Sequence, residues 1–597
     1  MSVGDEREPL APRTTSLYDY ALFRHGIDAP DGRVPAGGYP LPDGFPAVSR
    51  RDRLDFAAAK AAVTEALVPL LADPISRRAA DAVHLRLAAL PVPRRTVHRI
   101  VCGIVPEERY AGRARRLARR LTRTGTHPSA VLAGLALLVR LGEPEDVPTV
   151  RALGRLREFS SAAIAALDRI DRHAAAEAEL RRLAEPPPPN PLLDAVTGGD
   201  RGAARAALIH SATVKPVGPP RRVAEAARLD ELLREYPEDP DLTGAAGRLL
   251  FAMSQPNQYR PEILDYAQAR PVYESVVAGA HRLTPSARSY ALLLALALDL
   301  YSGAGAVLDW PAGRRTELLD ALGRLLDGPA WAAVADSTGW VRRTGRTPFA
   351  RPAEAEAFRI EVVAADPEHP NLVETRILRD GGPVALPLFA SGSTNPPEYL
   401  LDTGRLRAGP EPREVQLAEA YCTEGCCGAL YVTISRDGDE VVWDDWRGVE
   451  KKRRATAYRF DAAAYDAEVE RAERDRSWSW PARDTARLIS REVREHPGLL
   501  AAWDCRAGTA FTAWDEPESV ELLFTYAPGQ DAAVRGTNAP WLQFACRIPD
   551  DGTPPEEQAR AVLDRIAAED PRDWGRVCGG SKEYAAALGY DWPPGGP

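Results

Sequence analysis

The chain has 597 residues, 45% hydrophobic and 27% charged, with a net charge of −9. That length is too great for one core and predicts roughly two to four domains, and the composition excludes a disordered or collagen-like chain. Seven cysteines, together with an opening Met-Ser-Val-Gly-Asp-Glu stretch that lacks basic and apolar regions, argue against a disulfide framework and a secretory signal.

A cytoplasmic location is therefore expected. The longest apolar runs, 131–139 and 291–298, fall well short of the roughly 20 residues of a membrane span, so no membrane partner is expected. Only five lysines occur (Lys60, Lys215, Lys451, Lys452 and Lys582). Arginine is thus the default base, and no single arginine can be read as chosen for phosphate geometry. Residues 1–350 carry a net +6 and residues 351–597 a net −15. This asymmetry predicts a boundary near 350 and allows contact between the two halves.

Residues 1–50 are rich in Gly, Pro and Asp, show no period, and read as a flexible arm. Residues 51–350 read as an α-helical repeat-like domain. Leu135, Leu138 and Leu141 recur as Ile164, Leu167 and Ile170, and Val150 and Leu153 as Leu180 and Leu183. Each unit is a helix pair whose apolar stripe is too narrow to close a core alone, so neighbours must stack. The pattern resembles the short HEAT-like repeats of bacterial proteins. Pro237, Asp239 and Pro240 interrupt a later pair as in tetratricopeptide-like turns. Thr284 and Pro285 are expected to open an apolar helix as N-cap and first helical residue. The Pro186–Pro189 run reads as a loop between helices.

Residues 351–597 read as an α+β domain with antiparallel sheet, with 351–455 and 456–597 as candidate subdomains. Strands are expected at 358–364 and 372–378, and a hairpin at 429–435 and 440–446 around Asp437-Gly438. Helices follow at 461–476 and 481–496, then strands at 501–506, 509–514, 519–527 and 541–548. Thr553 and Glu556 read as a capping box. Strand runs beside helix runs, without βαβ alternation, give the α+β assignment. The series Tyr421-Cys422, Cys426-Cys427-Gly428, Trp443, Trp478-x-Trp480-Pro481, Trp541-x-x-Phe544 and Cys578-Gly-Gly-Ser581 resembles a C-terminal region of uncharacterised proteins from high-GC bacteria. It is loosely similar to immunity-type proteins of bacterial toxin systems.

Three features offer chemistry. Cys422, Cys426 and Cys427 are weak metal candidates, needing a fourth ligand such as Cys505, Cys546 or Cys578, and close-packed thiols are the competing reading. Arg109, Arg113, Arg116, Arg120 and Arg123 share one helical face, which would suit phosphate tracking or a solvated surface. Nine of the twelve tryptophans lie beyond residue 440, and Trp443 and Trp446 are candidate interface anchors. No Gly-x-Ser-x-Gly, Walker A, His-Glu-x-x-His, Gly-x-Gly-x-x-Gly or EF-hand pattern occurs. The expectation is a non-catalytic protein-interaction or regulatory, immunity-type protein without a cofactor. The alternatives are a nucleic-acid-associated helical-repeat protein, which the modest +6 disfavours, and an enzyme of unrecognised type in the α+β domain. Two arrangements separate the first two: a continuous positive groove favours nucleic acid, and arginines paired to acids favour protein.

Overall fold

The computed structural model describes residues 15–337 and 357–593, apart from 29–33, 36, 50, 73–76, 184–189, 212–217, 256–259, 365–372, 421–423, 451–453, 514 and 530–539. Through residue 337 the described elements are all helical; from Arg359 onward antiparallel strands and helices mix. The change of secondary structure falls where the period predicts it. The compact units divide elsewhere: one comprises Met1–Met253 with Pro271–Arg282, the other Ser254–Arg270 with Leu283–Pro597. The helices after residue 283 therefore belong to the unit that carries the sheets. Among the described residues no helix is long and apolar enough to cross a membrane.

The first unit begins with α1 (Leu17–Asp28), α2 (Phe56–Ala72), α3 (Arg77–Ala89), α4 (Arg94–Cys102), α5 (Ala111–Thr124) and α6 (Pro128–Leu141). It continues with α7 (Val147–Gly154), α8 (Ser160–Ile170) and α9 (Arg172–Leu183). Helix α6 is apolar over most of its circumference and is buried from Pro128 to Leu138, as a central helix must be. Gly134 lets α5 approach it closely. A Cβ there would stand 2.9 Å from the Ala118 carbonyl oxygen and from Thr122 Cγ2. The recurrent positions face inward in both pairs: Leu135, Leu138, Leu167, Val150, Leu153 and Leu180 are buried, whereas Leu183 at the end of α9 is exposed.

The expected arm carries structure. In α1, Leu17 and Ala21 are buried, and Tyr39 forms an isolated parallel bridge with Leu156. The Tyr39 N–H donates to the Arg155 carbonyl at 2.8 Å, and the Arg157 N–H donates to the Tyr39 carbonyl at 2.9 Å. Gly38 makes this docking possible. Its φ is +79° and a Cβ would lie 2.6 Å from the Arg155 carbonyl oxygen, so a side chain is excluded both sterically and by backbone preference.

In the second unit, helix Ala287–Ser302 is buried from Tyr290 to Ser302, in keeping with its all-round apolar sequence. Its cap is two residues later than expected. Ser286, not Thr284, accepts the N–H of Ser289. Among the described residues three antiparallel sheets follow. The first has order β1-β2-β3, with β1 Arg359–Ala364, β2 Val373–Arg379 and β3 Gly382–Pro383. The second has order β4-β5-β6-β7-β8, with β4 Gly392–Thr394, β5 Arg413–Ala420, β6 Ala429–Asp437, β7 Glu440–Arg447 and β8 Tyr458–Asp461. The β6–β7 register pairs Asp437 with Glu440, closing the expected hairpin with a two-residue loop.

The third sheet has order β12-β11-β10-β9, with β9 Cys505–Thr512, β10 Ser519–Tyr526, β11 Leu542–Pro549 and β12 Arg576–Gly580. The two strands expected at 501–506 and 509–514 are one strand, β9, preceded by a helical turn, Gly498–Ala501. Helices Ala462–Arg474 and Pro481–Glu495 stand as predicted. The capping box at Thr553 does not form. Helix Pro555–Ala568 begins after Pro554 without a side-chain cap, because Asp551 accepts both the N–H and the hydroxyl of Thr553. An aromatic nucleus of Phe358, Trp443, Phe460 and Tyr465 anchors the core, with Phe358 stacked on Tyr465 at 4.5 Å.

Candidate functional site

Helix α5 carries most of the arginine row. Its inward residues Ala114, Leu117 and Leu121 are buried as the period requires. The arginines do not share one environment. Arg109 precedes α5 in the turn Glu108–Tyr110, bonds Glu107 at 2.7 Å and stacks on Tyr110. Arg113 lies over the same ring, 5.7 Å from its centroid. Arg116 is exposed. Arg120 is buried, and its Nη1 has no hydrogen-bond partner. Arg123 stands 3.6 Å from Asp146.

The neighbouring arginines show what neutralises the helix. The turn between α6 and α7 supplies Glu143, Glu145 and Asp146. Arg115 pairs with Glu143, and Arg119 pairs with all three acids. The Glu143 N–H also donates to Asp146 at 3.0 Å, which helps to fix that carboxylate. Burial acts to lower the pKa of Arg119, but the hydrogen bonds it donates to Asp146 and Glu143 outweigh it and hold the guanidinium above its ordinary range. The acids were legible as the run Glu143-Pro-Glu-Asp146, one helix after the arginines, yet only the fold shows that they face α5.

The other candidates are dispersed. Cys426 and Cys427 are exposed on the turn Glu424–Cys427, with their sulfurs 3.8 Å apart; Cys422 lies outside the described residues. Cys505 and Cys546 are buried in β9 and β11, and burial pushes both thiols up to about 12. Among the described residues, no group of three or more His, Cys, Asp or Glu is arranged to hold a metal ion. Trp443 is wholly buried and donates its Nε1–H to the Tyr465 hydroxyl at 3.3 Å. It is a core residue, and the expectation that it anchors an interface is corrected. Trp446 is half-buried, with its Nε1–H on the Thr456 carbonyl. Of the basic run 451–454, only Arg454 lies within the described residues.

No family model, curated protein or solved structure matches the chain. Its chemistry rests on its own geometry, and two cavities bear on that. The second unit holds one of about 60 Å³, lined among others by Asp299, Glu374, Arg376, Ser393 and Thr394. The Arg376 Nε–H donates to Glu374 at 3.0 Å, and its Nη1 donates to Ser302 Oγ and the Leu298 carbonyl. Asp299 accepts the Ser254 hydroxyl and the Gly305 N–H. Both carboxylates are thus engaged in holding the cavity wall. The first unit holds a larger one, about 100 Å³, lined by Arg151, Arg155, Arg181 and Arg182 with Glu177.

Proposed function

We propose that the chain is a non-catalytic interaction protein of regulatory type, with a HEAT- or tetratricopeptide-like helical array as its binding unit. The observation that carries this reading is the lacing of Arg115, Arg119 and Arg123 to Glu143, Glu145 and Asp146. A phosphate-tracking face keeps its cations free to release counterions. Here the acids of the next turn already occupy Arg115, Arg119 and Arg123, the arrangement that favours a protein partner over nucleic acid.

The surface that supports contact is α1. Phe23 and Ile27, one turn apart, are 63% and 61% exposed. The opposite side of α1 is seated through Leu17 and Ala21. An apolar face of this kind, left open on a docked helix, marks a site for a protein partner with a matching apolar surface.

The test uses the full chain. Partner capture is compared between the wild type and a Phe23→Glu/Ile27→Glu variant that keeps its helical circular dichroism. A partner retained by the wild type and lost by the variant is the expected result. Salt-dependent, submicromolar binding of DNA or RNA that survives the double substitution would overturn the reading.

A further inference from the structure

The larger cavity of the first unit has an unbalanced charge. Arg151 and Arg155 come from α7 and the residue after it, and Arg181 and Arg182 from the last turn of α9. Glu177 is the one carboxylate among the described lining residues, which carry four positive charges against one negative. Glu177 is already shared. One oxygen accepts Arg151 Nη2 and the other accepts Arg181 Nη2, both at 2.6 Å. Arg182 leans away to Glu179 at 3.3 Å.

Arg155 is in no ion pair among the described residues. It lines the cavity half-buried, and its guanidinium has no hydrogen-bond acceptor among the described residues. Burial, followed by the charges of Arg181 and Arg151, holds its pKa below the ordinary range, against smaller opposing contributions from Tyr39 and Glu177. The same field reaches His25. Burial first, then Arg155 and Arg181, push its pKa down. Gly37 and Gly38 line the cavity on the side of the docked segment, where the Gly37 carbonyl accepts Arg157 Nε at 3.2 Å. A fold that gathers like charges around space large enough for a small ion spends stability there, and an anion recovers it.

We propose that this pocket is a binding site for a phosphate dianion, either free phosphate or the terminal group of a small phosphomonoester, held chiefly by the Arg155 guanidinium. A monocarboxylate would match the fork of Arg155 alone and leave the rest of the excess charge in place. A dianion with three terminal oxygens engages several forks at once and removes most of the excess. The cavity volume suits the phosphoryl group itself.

The experiment is thermal unfolding and calorimetric titration of the full chain with inorganic phosphate, methyl phosphate, glycerol phosphate and acetate at matched ionic strength. The phosphates should raise the melting temperature saturably, and acetate should not. Arg155→Gln should weaken phosphate binding about tenfold or more, as loss of a charge-assisted fork does. The same substitution in phosphate-free buffer should leave the melting temperature unchanged or raise it, since it relieves repulsion without breaking an ion pair. Tighter binding of the esters than of inorganic phosphate would identify the terminal group of an organic molecule as the source, and the reverse would identify free phosphate. An equal response to acetate, or an Arg155→Gln protein that binds phosphate as the wild type does, would overturn the proposal. Neither result bears on partner binding by α1, so the two readings fail separately.

Discussion

Asp146 accepts the Nε–H of Arg119 at 2.8 Å while itself only 1% exposed. This pair ties the turn after α6 to the basic side of α5, and Arg123 stands behind it at 3.6 Å. The carboxylate also receives the Glu143 N–H at 3.0 Å, so it supports the turn and the arginines together.

Asp146→Ala should therefore destabilise the helical unit by about 3 kcal/mol, the scale for leaving one member of a buried pair uncompensated. Glu145→Ala, at a side chain 61% exposed, should change stability by less than about 0.5 kcal/mol. Urea unfolding of the two variants checks the contrast. Equal effects would mean that the turn is held by its backbone alone.

Arg116 and Arg120 lie on the same predicted face but should respond in opposite ways. Arg116→Gln, at an exposed position, should leave unfolding within about 0.5 kcal/mol of wild type. Arg120→Met should raise stability by about 1 kcal/mol, because it removes a buried Nη1 that has no acceptor and keeps the side-chain volume. A large loss in Arg120→Met would reveal an undetected polar role for that guanidinium.

The cysteines should separate cleanly by reactivity. Cys426 and Cys427 are exposed, whereas Cys505 and Cys546 are buried and their thiols are pushed up to about 12. At pH 8 the buried pair remains protonated, and a thiolate is the nucleophile. Titration with a disulfide reagent should modify Cys426 and Cys427 in the native protein, and Cys505 and Cys546 only after unfolding. Fast labelling of Cys546 in the native state would contradict the packing of β11.

Asp168 links acid stability to one arginine. Burial raises its pKa, but the hydrogen bond from Arg222 and the charges of Arg222, Arg221 and Arg172 outweigh this, and the net shift is downward. A depressed folded-state pKa contributes stability that is present above the unfolded carboxylate value of about 3.9 and is lost as pH falls through the folded value. Asp168→Asn should be less stable than wild type at pH 7, by about 1 kcal/mol or more. The gap should close as the pH drops below about 4. A gap that stays constant with pH would place the effect in packing instead of charge.

The sequence carried some of these features and not others. The strand pair 359–364 and 373–379, the hairpin at Asp437, and the helices opening at Ala462 and Pro481 follow from periodicity and turn chemistry, which are local signals. Both cap assignments that failed turned on local competition. Ser286 lay closer to the helix than Thr284, and Asp551 captured the Thr553 hydroxyl that would have capped the next helix. The arginine row was visible as a helical face, but the wheel cannot show that Arg120 turns inward or that Glu143, Glu145 and Asp146 stand opposite. The basic pocket left no pattern at all. Arg151 and Arg155 belong to one short stretch and Arg181 to another, and only the stacking of α7 against α9 together with the docking of Tyr39 brings them to one space.

That docking sets an order of events during synthesis. Gly37 leaves the ribosome long before the Arg157 that bonds it, 120 residues later, and the bridge to Leu156 does not exist until α7 has been made. Closing so long a loop is slow relative to helix formation. The wall of the pocket made first is thus seated last, once the helices it leans on are in place. In the finished protein the same segment is held by the Tyr39–Leu156 bridge, by hydrogen bonds to Arg155 and Arg157, and by the Tyr39 side chain, which is buried in the core of the helical unit.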